Sequence, residues 1–246
     1  MPLWCRQILG ALVFYTVLPL PHAWPLEFRR LARWAPLVGL LLGGLLWLTG
    51  LGLRELGFSV ALNGWLLVLL WLGLTGGLHL DGAMDTADGL AVPDSERRLA
   101  VMADSRSGAF GVMVAIALLA LKATALASLV GNPALVAVPV WGRWAQVLAV
   151  ARFPYLRAEG KGALHRRDYC GWPDWLPGLL LALGASALPL LVGQSGLVLR
   201  LLLGGLLLAW IVPGWFARRL GGHTGDSYGA TVEWTEALLL VLLAAG

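Results

Sequence analysis

Three aspartates carry the clearest chemical signal in the chain. In Thr75-Gly-Gly-Leu-His-Leu-Asp-Gly-Ala-Met-Asp-Thr-Ala-Asp-Gly-Leu90, Asp81, Asp85 and Asp88 stand at i, i+4 and i+7. At about 100° per residue, a helix puts all three carboxylates within about 60° of one face. Like charges at that spacing repel and destabilise the helix, so a positive group must compensate them. A hard divalent cation fits best, because carboxylate oxygens and a few waters are what Mg²⁺ takes. No Cys or His pairing accompanies the acids, which argues against zinc. His79 points to another face and reads as a hydrogen-bonding residue beside the site. The plainer alternative is a solvated acidic helix end with Arg97, Arg98 and Arg106 as counter-ions. The strict exclusion of other residue types from the acidic face favours metal.

Two Gly-rich segments could cradle phosphate. One is Asp104-Ser-Arg-Ser-Gly-Ala-Phe-Gly111 and the other Gly221-Gly-His-Thr-Gly-Asp-Ser-Tyr-Gly229. Glycines ahead of a helix let backbone N–H groups approach an anion, which the helix dipole favours. Asp104, Ser105 and Gly108 in the first, and Gly222, Thr224 and Gly225 in the second, are the candidate substrate contacts. Glu233 and Glu236, at i and i+3 just beyond, divide between helix capping and catalysis. Arg143 and Lys122 lie deeper in apolar runs, where a long cation either snorkels to the interface or reaches a substrate phosphate. Arg143 is placed within reach of a phosphate and Lys122 is taken as a substrate contact.

The elements that must position these residues are set by composition. Of 246 residues, 59% are hydrophobic and only 13% charged, about half the charged share of a soluble domain. Such a chain reads as a single all-α polytopic membrane domain over residues 1–246, with the lipid bilayer as its solvent. About seven segments reach or approach spanning length: Ala35 to Leu53, Val60 to Leu80, Ala109 to Val130, Pro133 to Val150, Leu176 to Val192, Leu197 to Val212 and Thr231 to Ala245. Unbroken apolar runs without strand alternation decide for helices over a barrel. A short run from Ile8 to Leu20 reads as an interfacial or re-entrant helix.

Charge supports this layout. With the N-terminus inside, the inner segments hold Arg6, Arg29, Arg30, Arg33, Arg97, Arg98, Arg106, Arg152, Arg157, Lys161, Arg166, Arg167, Arg218 and Arg219. These are fourteen of eighteen basic residues, against Arg54 alone outside. The positive-inside rule accounts for the net charge of +4 without nucleic acid. Most of the acids, Glu159 among them, follow to the same face. Cys5 and Cys170 are expected as unpaired thiols on that side. Whether the chain forms a homo-oligomer is not fixed by any of this.

Four segments together resemble cobalamin synthase, the adenosylcobinamide-GDP ribazoletransferase family. They are Gly76 to Gly89, Asp104-Ser-Arg-Ser-Gly108, Ala151-Arg-Phe-Pro-Tyr-Leu-Arg-Ala-Glu-Gly160, and Gly221 to Asp226 with Gly229, Ala230 and Glu233. The family's N-terminal Phe-x-Thr-Arg-Leu-Pro reads Phe14-Tyr-Thr-Val-Leu-Pro19 here, so Val17 replaces a cation. The resemblance implies nucleotide-loop assembly in vitamin B12 biosynthesis, at its penultimate or last step, in the cell inner membrane with the site facing the cytoplasm. A hydroxyl of α-ribazole, or of its 5′-phosphate, attacks the corrinoid-linked phosphate of adenosylcobinamide-GDP and GMP leaves. On this reading Asp81, Asp85, Asp88 and Asp226 hold Mg²⁺, and Arg106 and Arg143 hold phosphates. Asp88 or Glu233 takes the alcohol's proton.

Two other readings compete. CDP-alcohol phosphotransferases also stack aspartates on a membrane helix, but in an Asp-x-x-Asp-Gly-x-x-Ala-Arg signature absent here. An ion-coupled transporter would hold its acids near the bilayer midplane on broken helices, whereas these are expected at one interface.

Overall fold

The computed structural model describes residues 1–157, 160 and 162–245. Ala158 and Glu159 of the 151–160 motif, and Lys161, lie outside the described residues. As the unalternating apolar runs require, the architecture is helical: α1 Leu3–Tyr15, α2 Leu31–Glu55, α3 Val60–Thr75, α4 Leu78–Ala91, α5 Ser95–Val101, α6 Ala109–Ser128, α7 Ala137–Arg152, α8 Ala163–Arg166, α9 Trp172–Ser186, α10 Ser195–Leu220 and α11 Gly225–Ala244. Short 3₁₀ turns lead into α7 and follow α9. Among the described residues the only β pairing is one bridge, Tyr155 with His223.

The span count differs from seven in an informative way. Among the described residues, five helical stretches are long and apolar enough to cross a membrane: α2, α6, Pro133–Arg152, Trp172–Val192 and α10. The pair α3 and α4 makes a sixth if read as one span, but it is bent by 91°. The break is at Gly76 and Gly77, whose φ values of 59° and 71° are left-handed. The second expected span therefore stops at Thr75. The aspartates belong to a separate helix that turns out of the crossing direction and lies along the end of the bundle. Val17 closes the corner, its N–H donating to Leu74 O at 2.9 Å.

The seventh expected crossing is α11. Asp226, Glu233 and Glu236 interrupt its apolar run, yet it follows α10 along its length: Arg200 Nη1 donates to Ala245 O at 2.6 Å, at the end opposite the α10–α11 turn. Of the crossing window in Pro133–Arg152, 94% is buried inside the protein. Helix α7 is thus the central pillar, with α2, α9, α10 and α11 against it. Every α7 residue from Ala137 to Val150 is buried. Both cysteines are free, as expected.

Candidate active site

The polar end of the bundle is assembled by close backbone approaches. A Cβ on Gly82 would meet Asp226 O at 2.6 Å, and one on Gly229 would meet His79 O at 2.9 Å. Glycine at both positions lets α4 lie directly on the start of α11, which brings Asp226 beside Asp81 and Asp85. The loop carrying Asp226 is laced to the 151–157 segment: His223 N donates to Pro154 O at 2.9 Å, and Leu156 N to His223 O at 2.8 Å. That pairing delivers Arg157, whose Nη1 sits 2.9 Å from Asp226 Oδ2.

Asp81 is exposed, and Asp85 and Asp226 are half-buried. Burial, then Asp81, Asp226 and Asp88, push the Asp85 carboxyl up to about 7. Among the described residues neither Asp81 nor Asp85 has an ion-pair partner. No three His, Cys, Asp or Glu side chains there converge into a closed metal site. An open one remains compatible with Mg²⁺, which is usually held by one or two carboxylates, waters and substrate phosphates. The all-oxygen donor set and the crowding of like charge fit that cation.

Asp88 has a different role from the one its spacing suggests. Its Oδ2 accepts from Gly108 N at 2.7 Å and its Oδ1 from Gly111 N at 2.8 Å. The N–H groups expected to cradle phosphate at the start of α6 are already occupied by this carboxylate, which binds there as an anion would. Both oxygens are engaged, so Asp88 joins α4 to α6 and is not a free proton acceptor.

The first Gly-rich loop is otherwise open. Arg106, with 88% of its side chain exposed, grips only Asp104, at 2.6 Å, and holds that carboxyl down to about 2. Ser105 is exposed beside them. In the second loop, Thr224 and Ser227 form a capping box for α11, and Gly222 packs against Pro154 O. Thr224 and Gly222 shape the loop, while Gly225 and Asp226 face the cavity behind it. Burial holds His223 in that loop down at about 4.

Arg143, Lys122, Glu233 and Glu236 form a buried set of their own. Lys122 Nζ lies 2.6 Å from Glu233 Oε2 and 2.7 Å from Glu236 Oε2, and Arg143 Nη1 pairs with Glu236 Oε1. Lys122 also stands 4.3 Å over the Trp71 ring. Two cations and two carboxylates cancel, which is what burial inside a membrane bundle demands. Neither cation snorkels, and Arg143 is fully buried. Glu233 lies seven residues beyond Asp226, about 10 Å deeper along the helix. The structure therefore pairs Arg143, Lys122 and Glu233 with carboxylate or cation partners inside the bundle.

Behind the aspartates lies a cavity of about 220 Å³, lined among others by Tyr15, His79, Asp81, Gln146, Tyr155, Arg157, His165 and Asp226. His79 stacks on Tyr15 at 5.9 Å, and Tyr15 Oη is 2.7 Å from His165 Nε2.

This arrangement can be compared with known proteins. A family model described as cobalamin-5-phosphate synthase matches residues 7–244. The chain belongs to the cobalamin-5-phosphate synthase family. It is similar to proteins named adenosylcobinamide-GDP ribazoletransferase from Thermosynechococcus vestitus, at 54% identity, and Synechococcus elongatus, at 52%. Each alignment covers 99% of this chain and 98% of the relative. A Prochlorococcus marinus relative of the same name is 46% identical over 99% of this chain and 96% of its own length. No solved structure matches.

In this member of the cobalamin-5-phosphate synthase family the structure adds residues that the sequence leaves unmarked. Arg157 reads from the sequence only as an inner charge within the 151–160 segment. Tyr15 stands at the variable position of the Phe14–Pro19 segment, and Gln146, a lone polar residue on an apolar helix, reads as core. Only their convergence behind Asp81 marks them.

Proposed function

We propose that this chain joins adenosylcobinamide-GDP to α-ribazole or its 5′-phosphate, forming adenosylcobalamin or its 5′-phosphate with release of GMP. The names of its relatives support the reaction class, and the observation that carries the site is the placement of Asp226 and Arg157 against the Asp81–Asp85 row. A diphosphate between a guanosine and a corrinoid side chain needs its charge neutralised and its phosphorus held in line with an alcohol. Mg²⁺ held by Asp81, Asp85 and Asp226 would screen the charge that collects on the phosphate oxygens.

The chain's own residues divide the remaining work. Arg157 is the cation beside the row, fixed by Asp226 and by Leu99 O at 3.3 Å. Arg106, exposed on a short loop, is free to swing onto a bound phosphate. The alcohol oxygen forms a bond to the corrinoid-bearing phosphorus as the bond to GMP breaks. With Asp88 anchored and Glu233 ion-paired, we assign the alcohol's proton to Asp81, the exposed carboxylate of the row.

The site faces the cytoplasm of an inner membrane on this reading. Support comes from Arg30, Arg98, Arg157 and Arg166, all packed at the end of the bundle that carries the aspartates, together with the positive-inside rule. The decisive assay is release of GMP from adenosylcobinamide-GDP by the purified chain, with and without Mg²⁺. Release of CMP from a CDP-alcohol, or of no nucleotide, would refute the assignment. Accessibility tags in 81–107 and 152–174 should both report the cytoplasmic side; opposite sides would refute the orientation.

A further inference from the structure

The cavity behind the aspartate row has an unbalanced hydrogen-bond inventory. Gln146, 2% exposed on the central pillar, leaves its Oε1 without a partner among the described residues. His79, 3% exposed, likewise leaves Nε2 unpaired. A buried polar group without a partner is costly, and two such groups lining one cavity mark a place for a polar ligand.

Size and wall chemistry narrow that ligand. A volume of about 220 Å³ lies below the roughly 300–1,000 Å³ of drug-sized pockets, which excludes a corrin macrocycle and suits one flat ring system. Tyr15, His79, Tyr155 and His165 supply aromatic surface, on which a flat base can stack. Asp81, Asp226 and Arg157 line the same cavity, so a ring inside would place an attached ribose phosphate at the acidic row.

Resting on the reaction proposed above, which offers two nucleosides, we propose that this cavity takes the guanine ring of the nucleotide, with Gln146 Oε1 accepting from its N–H edge. The choice follows from donors. A benzimidazole nucleoside has one nitrogen in the glycosidic bond and one bare acceptor, so its ring cannot satisfy Gln146 Oε1. Guanine carries both a ring N–H and an amino group on one edge, and its ring acceptors can meet His79 Nε2 when that nitrogen carries the proton.

The test is equilibrium binding of GDP and of α-ribazole to the full chain in detergent. Wild-type protein should prefer GDP over ADP and over N1-methyl-GDP by at least about tenfold, roughly the loss of one buried hydrogen bond. Gln146→Leu should weaken GDP by a similar factor, erase the preference and leave α-ribazole binding unchanged. Gln146→Glu, which keeps an acceptor oxygen on the same stem, should retain most of the GDP affinity. Equal wild-type binding of GDP, ADP and N1-methyl-GDP would overturn the assignment, with no variant required. So would a folded Gln146→Leu protein that binds GDP normally or loses α-ribazole instead. A chain that binds GDP with this preference but releases no GMP from adenosylcobinamide-GDP would refute the proposed reaction and leave the pocket standing.

Discussion

Asp88 Oδ2 accepts the Gly108 N–H at 2.7 Å, so a carboxylate from the aspartate row serves as the anion at the head of α6. The row is split by this bond: Asp88 fixes the helix, while Asp81 and Asp85 face the open side. Asp88→Asn should separate these roles. It keeps one acceptor oxygen, turns an amide N–H₂ toward a second N–H donor and removes the charge that the helix dipole favours. A loss of roughly 1–2 kcal/mol of stability is expected, read as a lower thermal midpoint in detergent. An unchanged midpoint would mean that the α4–α6 junction does not depend on this group.

Asp85→Asn should behave in the opposite way. It removes one of several crowded charges, so the folded protein should be as stable as the parent or slightly more so. Transfer should nevertheless fall by roughly two orders of magnitude or more, the scale on which electrostatic groups act in a transition state. Raising Mg²⁺ should recover little of it. Near-normal GMP release from a monodisperse variant would remove this residue from the metal assignment.

The buried tetrad predicts a compensation pattern. Glu236→Gln leaves Lys122 and Arg143 facing Glu233 alone, and an uncompensated buried charge costs about 3–5 kcal/mol. Adding Lys122→Met restores one cation and one carboxylate, so the double variant should be more stable than Glu236→Gln alone. Thermal midpoints of the two single variants, the double variant and the parent form the cycle. Additive losses would mean that the four groups do not act as a unit.

His223 makes a prediction about acid. Burial holds its folded-state value at about 4, below the ordinary 6.5. Between those values the unfolded chain binds a proton that the folded chain excludes, so stability is lost as pH falls from about 6.5 to about 4. His223→Gln removes this contribution. The midpoint of the parent should drop relative to the variant by roughly a few degrees across that window, and parallel curves would contradict it.

Much of the site could be read from spacing, because Asp81, Asp85 and Asp88 are close in sequence and a helix fixes their common face. Asp226 could be suspected from its Gly-rich neighbourhood. The membrane class followed from composition, and its helical form from apolar runs without strand alternation. The 91° break could not be read, since glycine pairs are common in membrane helices that stay straight. The fate of Arg143 was equally hidden. Its partner Glu236 is 93 residues away, and nothing local distinguishes a cation bound for a phosphate from one bound for a carboxylate. Gln146 on α7, His165 on α8 and Tyr15 at the end of α1 line one cavity only through the tertiary fold.

Lys122 precedes Glu233 by 111 residues, and α4 lies on Gly229 of the same late helix. During synthesis, α6 therefore enters the bilayer with a cation whose counter-ions have not yet been translated, and the aspartate row waits without Asp226. Arrival of α11 neutralises the one and completes the other in a single event. Maturation of the site and electrical closure of the core are in this way one assembly step, so a chain stalled before α11 would be inactive and would carry an uncompensated charge for membrane quality control to detect.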